Sequence, residues 1–230
     1  MVIPTWNEAV ALPAALASVG RVPEVCEVLV ADGGSSDATC ELAARAGARV
    51  LSVPRGRGRQ CRAGAEAATG DVVLFLHADT WLPAEAGVSL LRALGSGSGS
   101  GSGRRPVVGG AFLKTFRDAP RVMRGARFRS WLWFHLTRRP FADQALWCRK
   151  DSLEAIGGFP DLPLMEEFEW ARRMETVGRL VLLGPAVSTS ARKFRKNGVA
   201  ATYRLMASIL VRHALGEDPE SLRRRYERKG

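Results

Sequence analysis

Cysteine and histidine are scarce in this 230-residue chain, four of one and three of the other. Cys26, Cys40, Cys61 and Cys148 form no Cys-x-x-Cys pair and have no histidine at a metal-site interval. That argues against a zinc site and for reduced thiols in an intracellular protein. No apolar run approaches the length of a membrane span. The chain opens directly on strand-like Val2-Ile3, so no signal peptide is expected, and the expected location is cytoplasmic. Two common nucleotide motifs are missing as well. There is no Walker lysine pattern, and Gly56-x-Gly58 lacks a third glycine and follows the third expected strand, not the first. Acidic side chains are in the minority: 23 Asp and Glu stand against 34 Lys and Arg, a formal net charge of +11. Such an excess favours an anionic partner, whether a phosphorylated substrate, an acidic membrane surface or nucleic acid. No nucleic-acid-binding module is recognisable, so nucleic acid is not the expected partner.

What is present is a βα rhythm. Val2-Ile3-Pro4 reads as a strand end, and Thr5-x-x-Glu8 as a capping box opening a helix with Ala9, Leu12, Leu16 and Val19 on one face. Strands are expected over Val25 to Ala31, Arg49 to Val53 and Val72 to Leu76, with helices from Asp37 to Ala46 and from the Gly56-Arg57-Gly58 loop to about Gly70. This alternation implies a mostly parallel sheet with helices on both faces. A helix over Ala84 to Leu94 precedes a Gly/Ser repeat within residues 95–105, which reads as a flexible surface connection. Beyond it, Val107 to Phe116, Ala145 to Arg149 and Val181 to Leu183 read as strands. Glu167 to Val177, Gly198 to Ala214 and Pro219 to Arg228 read as helices. The basic, aromatic segment Arg121 to Arg139 is expected to be a core-facing helix with an arginine rim; peripheral contact with an anionic lipid interface is the alternative.

The chemistry gathers where strands end. Asp79 follows the continuous apolar run Val72 to Leu76, and open α/β sheets bind ligands at the carboxyl ends of their strands. A carboxylate there suits a hard divalent cation against a diphosphate. Asn7 and Glu8 follow the first strand and Asp32 the second. Gly33-Gly34-Ser35-Ser36-Asp37 then puts hydroxyls and small residues at a helix start, where free backbone N–H groups favour an anion or a polar base edge. Asp32 could accept from a pyrimidine N–H or a ribose hydroxyl. Arg192, Lys193 and Arg195 could close over a diphosphate as a basic lid, or form a solvated charge run.

These residues carry a resemblance. Pro4-x-x-Asn7-Glu8, Asp32-Gly33-Gly34-Ser35-Ser36-Asp37-x-Thr39, Gln60 with Gly64, and His77-Ala78-Asp79-Thr80 are similar to the inverting family 2 glycosyltransferases of the GT-A fold. So are Asp143-Gln144, Gly157-Gly158-Phe159-Pro160, Leu164-Met165-Glu166-Glu167 and Gly216-x-x-Pro219-x-x-Leu222-x-x-x-Tyr226. Within that family the chain most resembles the short group labelled radical-SAM/selenodomain-associated glycosyltransferases.

The resemblance implies a single domain over residues 1–230 that transfers a hexose from a nucleotide-diphosphate sugar to an acceptor hydroxyl. Residues 1–94 would bind the donor, and 106–230 the acceptor and the catalytic base. Pro4, Asn7, Glu8, Asp32, Ser36, Asp37 and Gln60 would line the nucleotide side, Arg192 the diphosphate, and Asp143 and Gln144 the acceptor. Asp79 would take the last position of the family's D-x-D motif and hold Mg2+ or Mn2+. His77 stands at the first position of that triplet, as a further ligand or as a structural histidine. Glu167 would be the general base, with Glu166 as fallback; the family's usual base is an aspartate. These two departures keep a second expectation open: a catalytically inactive protein that binds a nucleotide sugar or serves as a scaffold.

Overall fold

The computed structural model describes residues 1–95 and 105–229; the Gly/Ser repeat read as a linker lies largely outside the described residues. Among the described residues eight strands form one sheet: β1 (Val2–Thr5), β2 (Leu29–Asp32), β3 (Arg49–Ser52), β4 (Val72–Phe75), β5 (Thr80–Trp81), β6 (Val107–Arg117), β7 (Leu146–Arg149) and β8 (Arg179–Ser190). The helices are α1 (Leu12–Val19), α2 (Thr39–Arg45), α3 (Arg57–Ala67), α4 (Ala86–Gly95), α5 (Ala126–Thr137), α6 (Lys150–Ala155), α7 (Glu166–Val177), α8 (Arg192–Asn197), α9 (Val199–Ala214) and α10 (Pro219–Lys229). The strand order is β3-β2-β1-β4-β7-β6-β8-β5, with β3, β2, β1 and β4 mutually parallel.

Successive residues of a strand face opposite sides of its sheet, so a strand covered on both sides must be apolar throughout. Val2, Leu29, Val73 and Phe75 pack on one side with Cys61, Phe134, Phe159, Trp170 and Met174. Ile3, Val30, Leu74 and Leu76 pack on the other with Leu12, Leu16, Leu82, Leu90 and Trp147. The parallel α/β sheet expected for the first half is thus the one the chain adopts. A third, smaller cluster joins Phe168 of α7 to Leu205 and Ile209 of α9 and Leu222 of α10.

The second half departs from simple alternation. β7 runs antiparallel to both β4 and β6, while β6 and β8 pair in parallel from Val107↔Arg179 to Arg117↔Ser190. This reversal has a consequence for chemistry. The edge that carries the carboxyl ends of β1, β2 and β4 receives the beginning of β7, and with it Asp143 and Gln144.

Several expected boundaries move. The capping box does not form: α1 begins at Leu12 without a side-chain cap, and the Thr5 hydroxyl instead donates to Asp32 across the β1–β2 pair at 3.0 Å. β8 runs over twelve residues where a three-residue strand was expected. The loop expected at Gly56-Arg57-Gly58 ends one residue in, because α3 already starts at Arg57. Close packing explains the second glycine, since a Cβ on Gly58 would lie 2.5 Å from the Pro160 carbonyl oxygen. The expected basic helix is also split: a 3-10 turn over Arg121–Met123 precedes α5, and Gly125, at φ 84°, separates them.

Candidate active site

The turn after β2 and the loop after β1 are stitched together by short polar side chains. Asp32, buried at the end of its strand, accepts from the backbone N–H groups of Gly34 and Ser35 at 2.9 and 2.7 Å and from the hydroxyls of Thr5 and Ser35. Burial pushes its carboxyl up, but the donors from Ser35 and Thr5 outweigh that and hold it below the usual range. Asn7 takes a left-handed backbone (φ 53°), which asparagine tolerates better than most residues. Its Oδ1 accepts from the Ser36 N–H at 2.8 Å. Asp37 accepts from Ala9 N–H at 3.1 Å, and the Glu8 N–H donates to Thr39 Oγ1 at 2.8 Å. Gln60 is buried and donates from Nε2 to the carbonyls of Thr5 and Ala31, both at 2.7 Å, so it clamps the ends of β1 and β2. Pro4 lies within β1 itself. The residues expected on the nucleotide side therefore converge, and several of them spend their polar atoms holding the loops in shape.

Glu8 and Asp79 are drawn together by Arg192 at the start of α8. Its guanidinium reaches the two oxygens of Glu8 at 2.7 and 2.5 Å and Asp79 Oδ2 at 3.0 Å. Burial, opposed by Arg192 and assisted by Glu8 and Asp143, raises the Asp79 carboxyl above its ordinary value. Among the described residues no group of three or more His, Cys, Asp or Glu side chains could hold a metal ion unaided. Asp79 is the carboxylate at this sheet edge that a hard cation accompanying a diphosphate would use, and Arg192 now occupies one of its oxygens. His77 has a buried Nε2 without a hydrogen-bond partner. Desolvation, with Arg57 nearby, lowers its pKa to about 3, so the ring is neutral with a lone pair or N–H to spare.

Asp143 sits in a 3-10 turn over Ala142–Gln144 just before β7 and pairs with Lys114 of β6 at 2.7 and 2.8 Å. Gln144 is fully buried; its Nε2 donates to the Phe112 carbonyl at 3.0 Å and its Oε1 accepts from the Phe141 N–H at 3.0 Å. Asp143 is close enough to Asp79 and to Glu167 to raise both carboxyls.

Glu166 and Glu167 open α7, where negative charge is favourable. Both are buried, and Arg57 from the first turn of α3 pairs with each, reaching Glu167 Oε2 at 2.9 Å. Glu166 Oε2 is buried with no partner. Desolvation outweighs Arg57 and, with Glu166 beside it, lifts the Glu167 carboxyl to about 7. Lys114 is a site residue that sequence reasoning missed; Arg57, which with Arg55 and Arg59 reads from the sequence as a phosphate contact or a solvated basic loop, instead binds the two glutamates. The Arg57 signal lay in its neighbour: Gly58 is small because the 160–162 backbone packs against it and carries the Glu166-Glu167 pair to the arginine.

Residues 1–157 match the family model described as glycosyl transferase family 2. An uncharacterized glycosyltransferase of Mycobacterium tuberculosis (strain ATCC 25618 / H37Rv) is 39% identical over 111 residues, 48% of this chain and 50% of the relative. One from Mycobacterium bovis matches to the same extent. The match thus spans about half the length of these curated relatives. Among solved structures, S. aureus TarS 1-349 superposes with a TM-score of 0.62 at 16% identity, over 83% of this chain and 59% of that one. A mannosyltransferase from Pyrobaculum calidifontis, solved in complex with GDP-Man and Mn2+, gives 0.57 at 21% identity, over 82% and 55%. At these identities the structures establish the fold, the GT-A arrangement expected from the sequence.

Proposed function

Since the chain belongs to glycosyl transferase family 2, we propose that it moves a hexose from a nucleoside diphosphate sugar to an acceptor hydroxyl with inversion, in the radical-SAM/selenodomain-associated branch of that family. The observation that carries this reading is a set of ion-paired carboxylates gathered at a single sheet edge. Arg192 links Glu8 to Asp79, Lys114 holds Asp143, and Arg57 binds Glu166 and Glu167.

On this reading residues 1–94 hold the donor and 106–230 the acceptor, within one domain joined through 95–105. Pro4, Asn7, Glu8, Asp32, Ser36, Asp37 and Gln60 shape the nucleotide pocket, with Asp32 working through the turn it organises. Asp79, with His77 beside it, would hold a Mg2+ or Mn2+ ion, which would supply positive charge against the diphosphate of the leaving group. Arg192 exchanges its carboxylate partners for phosphate oxygens. Asp143, held by Lys114, and Gln144 position the acceptor. Glu167 removes the acceptor proton during in-line attack, with Glu166 completing the pair. A carboxyl tuned to about 7 suits that task, because a general base works best when its pKa lies near the working pH. The TarS structure solved with UDP-GlcNAc and the mannosyltransferase solved with GDP-Man point to UDP and GDP as the bases to try first.

The test is incubation with a panel of UDP- and GDP-hexoses, reading release of UDP or GDP and the anomeric configuration of the product by NMR. Transfer with inverted configuration supports the reading. Retained configuration would refute the single displacement. Donor binding with no turnover on any acceptor would favour the inactive, scaffold-type protein.

A further inference from the structure

Helix α5 is built the wrong way round for a core helix. Its buried seam is Ala126, Ser130 and Phe134, two of them small. Ser130 Oγ accepts from the Lys114 N–H of β6 at 3.4 Å, so the narrow seam lets the helix lie close against the sheet. The bulk points outward. Phe128, Trp131, Leu132 and Leu136 are 62, 44, 39 and 75% exposed. At roughly 100° per residue these side chains and His135 share the face opposite the seam. Val122, 73% exposed in the preceding 3-10 turn, adds to the apolar surface. The arginine-rimmed core helix expected from the sequence forms only in part: Phe134 is buried in the core and Trp133 stacks on Phe141, but Phe128, Trp131, Leu132 and Leu136 face away.

Charge frames this face. Between Asp118 and Asp143 there is no acidic residue and there are six arginines. Arg129 and Arg139 are engaged, with Tyr203 and the Met123 carbonyl in one case and Glu175 in the other. Arg121, Arg124, Arg127 and Arg138 have no carboxylate partner among the described residues. Among the described residues no helix is long and apolar enough to cross a membrane. An exposed apolar stripe flanked by unpaired guanidinium groups matches the surface of a bilayer with anionic headgroups. The rings and leucines enter the acyl boundary and the arginines meet the phosphates.

We propose that α5 and the turn before it dock this protein on an anionic membrane surface. The buried side of α5 touches the strand that carries Lys114, the partner of Asp143, so docking brings the acceptor half of the cluster beside the lipid. The surface stands whether or not the chain transfers sugar.

The experiment is co-sedimentation of the full chain with phosphatidylcholine vesicles, with and without phosphatidylglycerol, at low and physiological salt. Phe128→Asp/Leu132→Asp is compared alongside; both positions are exposed, and an unchanged melting temperature verifies its fold. The chain should bind only the phosphatidylglycerol vesicles and lose affinity with salt, and the double variant should bind more than about tenfold more weakly. Binding of nucleoside diphosphates to the double variant should be unchanged, which separates this test from that of the proposed function. Three results would overturn the proposal: no sedimentation with any vesicle, equal binding by the double variant, or self-association of the native chain that the double variant abolishes. The last would assign the face to a second copy.

Discussion

Replacing Glu167 by glutamine should expose a pH dependence of stability that the native chain conceals. The folded Glu167 carboxyl is raised to about 7 from its ordinary 4.5, mainly by desolvation. Between those values the folded chain holds a proton that the unfolded chain has released, so this group makes stability fall as pH rises. His77 works in the opposite sense. Its folded pKa is lowered to about 3 from 6.5, so in that window the unfolded chain holds the extra proton and stability falls as pH drops. The two windows overlap between pH 4.5 and 6.5, where the slopes cancel. At 1.36 kcal/mol per unit, each group contributes about 3 kcal/mol across the overlap. Glu167→Gln removes one slope: relative to the native chain it should lose about 3 kcal/mol on going from pH 6.5 to 4.5. His77→Gln should gain a similar amount over the same change. Urea unfolding in EDTA, followed by tryptophan fluorescence at several pH values, measures both; Trp147 and Trp170 are fully buried and report unfolding. A stability difference between Glu167→Gln and the native chain that does not change with pH would refute the linkage, and with it the desolvated state of the proposed base.

Other substitutions test the remaining parts of the cluster. Arg57→Ala strands two carboxylates whose side chains are only 2 and 8% exposed, but the arginine itself is 35% exposed. The cost should therefore fall near the low end of the range for a broken buried pair, about 3 kcal/mol at pH 8 by urea unfolding. Gln60→Leu leaves the Thr5 and Ala31 carbonyls without their shared donor and should cost about 2 kcal/mol by the same measurement. Arg192→Ala frees Asp79 and Glu8. It should strengthen Mn2+ binding in the absence of nucleotide by about tenfold, read by electron paramagnetic resonance, while weakening nucleoside diphosphate binding.

The first half of the molecule was legible because its chemistry and packing share one signal. A strand covered on both faces is apolar without interruption; Asp32 ends one such run and Asp79 follows closely on another, both at the edge that carries the candidate site. The second half hides its order. Nothing in Leu146 to Arg149 reveals that β7 runs backwards, yet that reversal delivers Asp143 and Gln144 to the site. β8 mixes apolar residues with Gly184, Pro185 and three hydroxyls, so only Val181 to Leu183, near its start, resembled a strand. Thr5 and Glu8 have the spacing of a capping box, but tertiary partners, Asp32 and Arg192, claimed both side chains. The pairing of Arg57 with the two glutamates was hidden by its glycines, which read as a loop when one of them reflects close packing. α5 was legible only in part, because aromatic and leucine residues usually mark the buried face; here Phe134 does, while Phe128, Trp131, Leu132 and Leu136 are exposed.

On the proposed reading, Asp79 and the loops after β1 and β2 bind a nucleoside diphosphate together with a divalent cation. Thermal unfolding with UDP, GDP, CDP and ADP, each with and without Mn2+, tests it most directly, since a ligand that binds only the folded chain raises its melting temperature. One diphosphate should stabilise the chain in the presence of Mn2+, and Asp79→Ala should abolish that shift. No shift with any diphosphate, or an equal shift in the Asp79 variant, would contradict the account.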